Sequence, residues 1–329
     1  MQNRIDELVQ QPLDWAAVLK RSWWHRIRPL TFHHVDGKPS STMPEDVRAA
    51  FVGFVEELAE RNRRLSGVLS EVSTVFEDAQ IRGLVFKGPT LAEDAYGDLT
   101  LRECGDLDLL IDQQDFDRVR HVLVESGFVS CWDSEDNNRQ VFACEFERPG
   151  ASLDVHWDLA PGWLNYQVHF DRLWDDGVPL SAKSSFLRKL RPEDSASVLC
   201  IHGTKHWWER LRWICDVAEL VNSGRITDWD RVETTAIEAR CHRSVSLGLY
   251  LAGNLLDAKL PVPVSRRLAA TPGIRRLGAQ VRNWLQYAES SKDRRRVQER
   301  FLFRMGVCER ARDRIPQIIH YLFARPHGS

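Results

Sequence analysis

The sequence predicts an α+β protein in which a small mixed β-sheet core is flanked by a helical N-terminal segment and an all-helical C-terminal domain. Apolar residues recur at helical spacing before residue 78 and after residue 190, whereas short β-prone runs of alternating polarity lie between. The 329-residue length suits two or three units, because single cores tend to split beyond roughly 250 residues. We therefore expect boundaries at 1–78, 79–175 and 190–329.

The N-terminal segment is predicted to be helical throughout, with its clearest signal after Pro44. That proline follows Ser41 and Thr42 and precedes two acidic residues, a composition typical of a first helical turn. Apolar residues then recur at helical spacing, namely Val47, Phe51, Phe54, Val55, Leu58 and Leu65. This pattern predicts an amphipathic helix packed against a core.

The middle segment alternates strand and turn signals. The run "IRGLVF" from Ile81 is β-prone and ends in the turn "KGPT", and "DLDLLI" from Asp106 predicts a second strand. Asp112 is a candidate cap for a helix that stops at Gly127. Three more strand candidates follow, "FVSCW", "QVFACEFE" and "SLDVHWDL", and the last two are joined through "RPGA" as a hairpin.

The C-terminal part is predicted to be helical. Residues 192–221 form one long helix or two joined helices in this prediction, with Gly203 as a candidate break. Further helices are expected at about 234–257, 263–288 and 293–324. A chain ordered as helices, sheet and helices follows from these signals.

Charge is unevenly distributed along a chain whose net charge is only −2, which argues against a general nucleic-acid coat. Residues 98–159 carry 15 acidic residues against 5 arginines, whereas residues 201–329 carry 23 basic against 13 acidic residues. This asymmetry suggests an acidic, cation-binding region facing a basic one that can hold an anion. Solvated helix faces are the alternative explanation for many of the arginines.

The sequence also predicts the cellular compartment. Its seven cysteines show no CxxC spacing and are expected to be buried thiols in a reducing cytoplasm. The N-terminus lacks an apolar signal region, and no stretch approaches the roughly 18 apolar residues of a membrane span. We therefore expect a cytoplasmic protein without a membrane partner, and the sequence leaves its oligomeric state open.

The run "CGDLDLLID" places two carboxylates in an apolar strand. Strand side chains alternate faces, so Asp106 and Asp108 face one side while Leu107 and Leu109 face the core. The two carboxylates lie about 7 Å apart and repel each other unless a cation or water separates them. Magnesium takes one or two such carboxylates together with substrate phosphates. The pattern predicts a metal–nucleotide site, with a half-exposed edge strand as the alternative.

Two further features favour the metal site. In "SLDVHWDL" the alternation leaves Asp154 and His156 on the face opposite the core, so a third carboxylate joins the pair if the strands are neighbours. His156 then either orients Asp154 or simply ends the strand. Upstream, Lys87 and Gly88 follow the first strand. There a glycine lets backbone approach a phosphate, and Lys87 and Thr90 can contact its oxygens.

In this order the segments resemble the nucleotidyltransferase superfamily that includes DNA polymerase β. Its members combine a hydrophobic strand, a small-residue turn, two acids one residue apart and a later third carboxylate. More closely, "VFKGPTLAEDAYGDLTLRECGDLDLLI", "LDVHW" and "HGTKHWWERLRWICDVAEL" resemble an uncharacterised bacterial nucleotidyltransferase family over residues 81–220. Two features depart from the superfamily pattern: Pro89 replaces a glycine or serine, and 18 positions separate Gly88 from Asp106.

The resemblance implies nucleotidyl transfer with divalent ions, magnesium or manganese. Asp106 and Asp108 would hold the ions, and Asp154 would share the second ion and help to deprotonate the attacking hydroxyl. A nucleoside triphosphate such as ATP would supply the nucleotide. The acceptor hydroxyl would belong to a small molecule or a peptide, with an RNA end as a third option. Arg102, in the longer loop, is a candidate phosphate ligand.

The run "HGTKHWWERLRW" supplies the remaining candidates. His202, Lys205 and His206 are placed along a helix to reach the triphosphate or the acceptor. The alternative is that the histidines and the adjacent tryptophans pack the helical domain onto the sheet. Zinc is not expected here, because neither a third ligand nor an HExxH sequence follows.

Two other functions fit parts of the pattern. A glycosyltransferase also binds a nucleotide diphosphate through paired acids, but it predicts a large doubly wound domain before them, where this sequence predicts helices. A degenerate nucleotide-binding or interaction module fits the Pro89 departure, but the three retained acids argue against it. The pairs Trp23-Trp24 and Trp207-Trp208 are candidates for stacking on a base, although burial is the commoner use of tryptophan.

Overall fold

A computed structural model describes residues 2–38, 42–130, 142–182, 185–286, 294–315 and 318–319. Across these ranges the chain has the predicted α+β architecture, in which a mixed sheet lies between helices. No helix in this part of the chain is long and apolar enough to cross a membrane. Its six cysteines are buried free thiols, and Cys131 lies outside the described residues.

The N-terminal segment contains separate helices rather than continuous helix. They are α1 (Gln2–Val9), α2 (Trp15–His25), α3 (Arg28–Val35) and α4 (Glu45–Asp78). Asp14 caps α2 by accepting a hydrogen bond from the amide of Ala17, and Arg26 ends it in the left-handed conformation with φ of 52°. Pro44 is the cap residue of α4, whose buried stripe includes Phe51, Leu58 and Leu65 as predicted.

The central region carries the sheet. Its elements are β1 (Gly83–Val85), α5 (Pro89–Leu91), β2 (Leu107–Ile111), α6 (Phe116–Glu125), β3 (Val129–Ser130), β4 (Ala143–Arg148), β5 (Ala151–His156), α7 (Phe170–Asp175), β6 (Val178–Pro179) and β7 (Leu187–Lys189). The strand order is β3-β4-β5-β2-β1-β7-β6. The β2–β5 and β1–β7 pairs are parallel, and the other pairs are antiparallel. The sheet is therefore mixed.

Several local predictions for this region are confirmed. The β4–β5 hairpin forms as expected, and Asp112 accepts a hydrogen bond from the amide of Gln114 in a short helical turn before α6. The strand predicted from "FVSCW" is β3, and the remainder of that run lies outside the described residues. The sequence analysis missed β6 and β7, because strands of two and three residues are too short for a clear alternation.

The two faces of the sheet pack against different helices. Leu107 and Leu109 belong to a core with α4 and α6, whereas Leu84 and Leu110 belong to a larger core with the C-terminal helices. Residues of even number on β2 and β5 therefore face the C-terminal helices. This alternation places the acidic side chains between the sheet and those helices.

The C-terminal helices are shorter than predicted. They are α8 (Pro192–Lys205), α9 (Leu211–Asn222), α10 (Trp229–Glu238), α11 (His242–Leu256), α12 (Val262–Ala270), α13 (Ile274–Gln286) and α14 (Arg294–Val307). The predicted helices 234–257 and 263–288 are each divided in two, after Arg240 with φ of 54° and at Gly273 with φ of 80°. Amphipathic periodicity continues across both breaks, so hydrophobic spacing alone did not reveal them.

The break predicted at Gly203 lies instead at residues 206–210. Trp207 and Trp208 have φ of 53° and 56°, values that bulky side chains rarely adopt. Trp208 is fully buried in the core of the C-terminal helices. Burial of this large ring offsets a backbone strain of about 1–3 kcal/mol.

Gly203 is needed for packing, and its substitution is expected to destabilise the protein. A Cβ at this position would lie 2.5 Å from the Trp208 ring. We expect Gly203→Ala to lower the free energy of unfolding by about 1–3 kcal/mol, as overpacking does in other cores. Gly67→Ala on α4 is the control, because nothing lies within 4 Å of its Cβ position, and it should instead stabilise by about 0.5–1 kcal/mol. Denaturant unfolding of both variants measures the difference, and equal effects would contradict the packing role.

Candidate active site

The predicted acidic residues meet on the sheet face that the C-terminal helices cover. Strands β2 and β5 are parallel neighbours in which Asp108 lies opposite Asp154, so the sequence condition for a third carboxylate is met. Asp108, Asp154 and His156 each offer a ligand atom, and these atoms lie within 4.8 Å of one another. Asp106 precedes β2 and lines the same cleft of about 630 Å³ without belonging to this cluster.

Lys87 neutralises Asp108 from the end of β1. Its Nζ lies 2.5 Å from Asp108 Oδ1 and 3.3 Å from His202 Nδ1. Lys87 and Asp108 are only 4% and 3% exposed. Burial raises the pKa of Asp108, but Lys87 and His156 outweigh burial and hold that pKa below its usual range. Asp108 is therefore an ionised carboxylate at neutral pH.

Gly88 allows the turn that carries Lys87 to lie against β2. Its φ is 71°, and a Cβ here would lie 3.2 Å from the carbonyl oxygen of Asp106. Pro89 begins α5, where the absence of an N–H costs nothing because first-turn amides have no helical partner. The glycine predicted to approach a phosphate thus also positions the lysine against the acidic strand.

Asp106 experiences the charge of its neighbour. The pKa of Asp106 is raised, first by Asp108 and then by burial, while Lys87 and Arg212 act in the opposite direction. A cation between the two carboxylates would relieve this repulsion. An added positive charge would therefore stabilise the ionised form of Asp106 more than that of Asp108, because Asp108 is already paired with Lys87.

His156 completes the cluster from β5. Its Nε2 lies 2.9 Å from Asp154 Oδ2 and 3.7 Å from Asp108 Oδ1. Both ring nitrogens are buried, and neither makes a well-oriented hydrogen bond within the described structure. Phe86 and Phe142 flank the ring. A buried nitrogen of this kind beside two carboxylates fits a site for a divalent cation, in which His156 orients Asp154 or contributes a ligand.

The opposite wall of the cleft is cationic. It is formed by the end of α8 and the start of α9 and includes His202, Lys205, His206 and Arg212. Burial, followed by the charge of Lys87, lowers the pKa of Lys205 to about 8 and that of His202 well below its usual value. Burial and Lys205 lower the pKa of His206 to about 3. Both histidines are thus neutral at pH 7, and Lys205 remains mostly protonated.

Comparison with known proteins bears on this cleft. A family model described as an uncharacterised nucleotidyltransferase matches residues 11–257, three quarters of the chain. The chain belongs to this nucleotidyltransferase family. Searches of curated proteins and of solved structures gave no significant match.

The matched region contains every candidate site residue predicted from the sequence. It ends one residue beyond α11, so helices α12–α14 lie outside it. The described sheet is mixed and short-stranded, unlike the large doubly wound domain that the glycosyltransferase alternative predicts. Family and fold both favour the nucleotidyltransferase interpretation.

Two predicted phosphate ligands, Thr90 and Arg102, do not line the cleft. Arg102 is buried, and its Nε and Nη2 donate to the two carboxylate oxygens of Asp216 at 2.8 Å and 3.0 Å. The hydroxyl of Thr90 donates to the carbonyl oxygen of Lys87 at 2.9 Å, and Thr90 lines a separate cavity. The predicted contact of Arg102 with a phosphate does not fit this structure, because the Arg102 guanidinium is already bound to the Asp216 carboxylate.

Three arginines that were not predicted as site residues line the cleft, namely Arg26, Arg210 and Arg212. None of them forms an ion pair within 4 Å among the residues that the structure describes. Arg210 and Arg212 alternate with apolar residues next to the HGTKHWWE run, and this spacing was the available signal. Arg26 follows the Trp23-Trp24 pair, far from any strand signal, and only the fold brings it to the site.

Proposed function

We propose that this protein transfers a nucleoside monophosphate from a nucleoside triphosphate to a hydroxyl acceptor, with release of pyrophosphate, as a polymerase β-like nucleotidyltransferase. The observation that carries the proposal is the placement of Asp108 opposite Asp154 on parallel strands, facing a wall that contains Lys205. Acids on one side and cations on the other suit a metal–triphosphate substrate. The family membership supports the same reaction class.

Asp108 and Asp154, together with Asp106, would hold magnesium or manganese in this proposal. The donors fit: ligand atoms of two carboxylates and of the buried His156 converge within 4.8 Å. A bound divalent ion would neutralise charge on the phosphates and make the acceptor hydroxyl more acidic. His156 is a positioning residue that holds Asp154 through the 2.9 Å contact.

Groups that line the cleft supply the proton acceptor and the positive charge that this reaction needs. The acceptor oxygen forms a bond to the α-phosphorus, and the bond from that phosphorus to the oxygen bridging to the β-phosphate breaks. Pyrophosphate carries away the electrons of that bond, and the hydroxyl proton passes to the Asp154 carboxylate. Lys205 neutralises the leaving phosphates as an ammonium, while His202 and His206, being neutral, donate or accept hydrogen bonds.

The direct test is transfer of label. Purified protein is incubated with magnesium, a cell extract and each of the four nucleoside triphosphates labelled at the α-phosphate. We expect one labelled product that depends on a divalent ion, together with stoichiometric release of pyrophosphate. Label that stays in the triphosphate in every reaction, with calorimetry showing no metal-dependent nucleotide binding, would refute the proposal.

Nucleotide binding should weaken above pH 8 because of Lys205. Burial lowers the pKa of this lysine to about 8, and only its protonated form attracts phosphates. The association constant for magnesium–ATP, or for whichever nucleotide transfers label, should therefore fall as the pH rises from 7 to 9. Lys205→Arg should remove this fall, since arginine stays protonated throughout that range. Calorimetry at several pH values measures both proteins, and parallel pH profiles would contradict the role of Lys205.

A further inference from the structure

A second cavity adjoins the proposed active-site cleft. It has a volume of about 320 Å³ and shares Arg26 and Arg210 with the cleft. We call it the arginine arm and define it by Trp23, Trp24, Arg26, Arg28, Arg61, Glu103 and Arg210. The N-terminal helices supply most of these residues. The arm therefore joins α2–α4 to the site built by the sheet and the C-terminal helices.

Positive charge in the arginine arm exceeds negative charge. Its only carboxylate is Glu103, which accepts hydrogen bonds from the backbone amide, Nε and Nη2 of Arg28 at 3.2–3.3 Å. Across the described ranges, Arg26, Arg61 and Arg210 form no ion pair within 4 Å. Burial and the neighbouring Arg210 lower the pKa of Arg26, and burial and Arg212 lower that of Arg210. The arm thus contains guanidinium groups that an anion would stabilise.

The tryptophans add an unsatisfied donor and an apolar surface. Trp24 Nε1 is buried without a hydrogen-bond partner in the described part of the chain. The guanidinium of Arg210 lies 5.4 Å from the centre of the Trp24 ring. Trp23 is 57% exposed at the rim, unusually open for so large an apolar side chain. A ligand that brings an apolar face to Trp23 would cover this exposed ring.

The location of the arm fits the acceptor better than the triphosphate. In-line displacement places the acceptor and the leaving pyrophosphate on opposite sides of the α-phosphorus. Cys104 and Gly105, which directly precede Asp106, line the arm, whereas Lys205 lines the cleft but not the arm. The arm therefore adjoins the cleft beside Asp106, and Lys205 is not part of it.

We propose that the arginine arm is the acceptor subsite and binds a small molecule that carries a phosphate or carboxylate beside the hydroxyl that is modified. This inference rests on the proposed nucleotidyl transfer. A volume of about 320 Å³ matches a small metabolite. Guanidinium groups recognise both oxyanions through paired hydrogen bonds. Glu103 in the arm disfavours a continuous nucleic-acid backbone, which would place further phosphates against it.

The test uses full-length protein and calorimetric titration with inorganic phosphate and citrate as separate probes, which distinguishes phosphate from carboxylate recognition. We expect wild type to bind at least one probe. Arg61→Gln should weaken that binding about tenfold or more through the loss of one charge-assisted contact. Arg61→Lys, which keeps the charge, should weaken it less. Arg63→Gln is the matched control, because Arg63 is exposed on the same helix outside the arm, and it should bind the probe as wild type does.

Magnesium–nucleotide binding by the same proteins separates the two proposals. If wild type binds a probe but no magnesium–nucleotide, the transfer reaction is refuted, whereas the anion site in the arm is supported. The acceptor subsite is overturned if wild type binds neither probe, or if Arg63→Gln weakens binding as much as Arg61→Gln. The labelled product from a cell extract should be a small anion, so label in ribonuclease-sensitive or protease-sensitive material would also overturn it.

Discussion

Asp154→Asn is expected to lower nucleotidyl transfer by about 10²–10³-fold, the usual effect of removing one group that stabilises a transition state. Asparagine keeps the size of the side chain but removes the charge that would contact the metal and the proton-accepting oxygen. The Asp154 side chain is 36% exposed, so the fold should tolerate the change. Initial rates of label transfer, with unfolding curves recorded in parallel, measure both effects.

Asp117→Asn is the matched control for this experiment. Asp117 is exposed on α6, away from the cleft, and its substitution should leave the rate within about twofold of wild type. A rate for Asp154→Asn within about tenfold of wild type would contradict the role of Asp154 in metal binding and proton transfer. Asp108→Asn is a poorer probe, because it also leaves the Lys87 ammonium buried without its carboxylate.

Asp216→Asn is expected to lower the free energy of unfolding by about 3–5 kcal/mol, because it breaks a buried ion pair and leaves Arg102 uncompensated. Both side chains are buried, and the hydroxyl of Tyr96 donates to the same carboxylate at 2.7 Å. Arg102→Met/Asp216→Leu should recover part of the loss, since neither charge then remains. Tyr96 would still lack its acceptor. Denaturant unfolding of wild type and the two variants measures these differences.

This ion pair also predicts a dependence of stability on pH. Burial raises the pKa of Asp216, but Arg102 outweighs burial and lowers it overall. The pair therefore contributes fully above the ordinary carboxyl pKa of about 4, and its contribution is lost as the pH falls below that value. The difference in stability between wild type and the double variant should shrink on acidification below pH 4. A loss of less than about 1 kcal/mol in Asp216→Asn at pH 7 would contradict a structural role for the pair.

Strand alternation explains why the acidic face could be predicted from the sequence. A period of two assigns Asp106 and Asp108 to one face and Leu107 to the other without knowledge of the rest of the chain. The same rule assigned Asp154 and His156 to one strand face, and the turn "RPGA" predicted the β4–β5 hairpin. Only the adjacency of β2 and β5 required the fold, because parallel strands are joined by long connections.

Long-range partners explain what could not be predicted. Arg102 is a basic residue in the loop before β2, as a phosphate ligand would be. Its partner Asp216 lies 114 positions later, so the sequence did not reveal the ion pair. Likewise, Lys87 was assigned to a phosphate, and the structure places it against Asp108 because β1 and β2 pair as antiparallel neighbours. The left-handed backbone at Trp207 and Trp208 accompanies burial of the Trp208 ring in a core that several helices form, so local propensity gave no indication of it.

The contact between Lys87 and His202 spans 115 positions and has a consequence for how the protein is synthesised. Strand β2, with Asp106 before it and Asp108 within it, is translated well before α8, which closes the cleft. Non-local contacts form slowly, because loop closure precedes any gain from them. A nascent chain that ends before residue 202 would therefore expose its carboxylates to solvent without the cationic wall. We therefore expect the proposed nucleotide site to be complete only after α8 and α9 dock on the sheet.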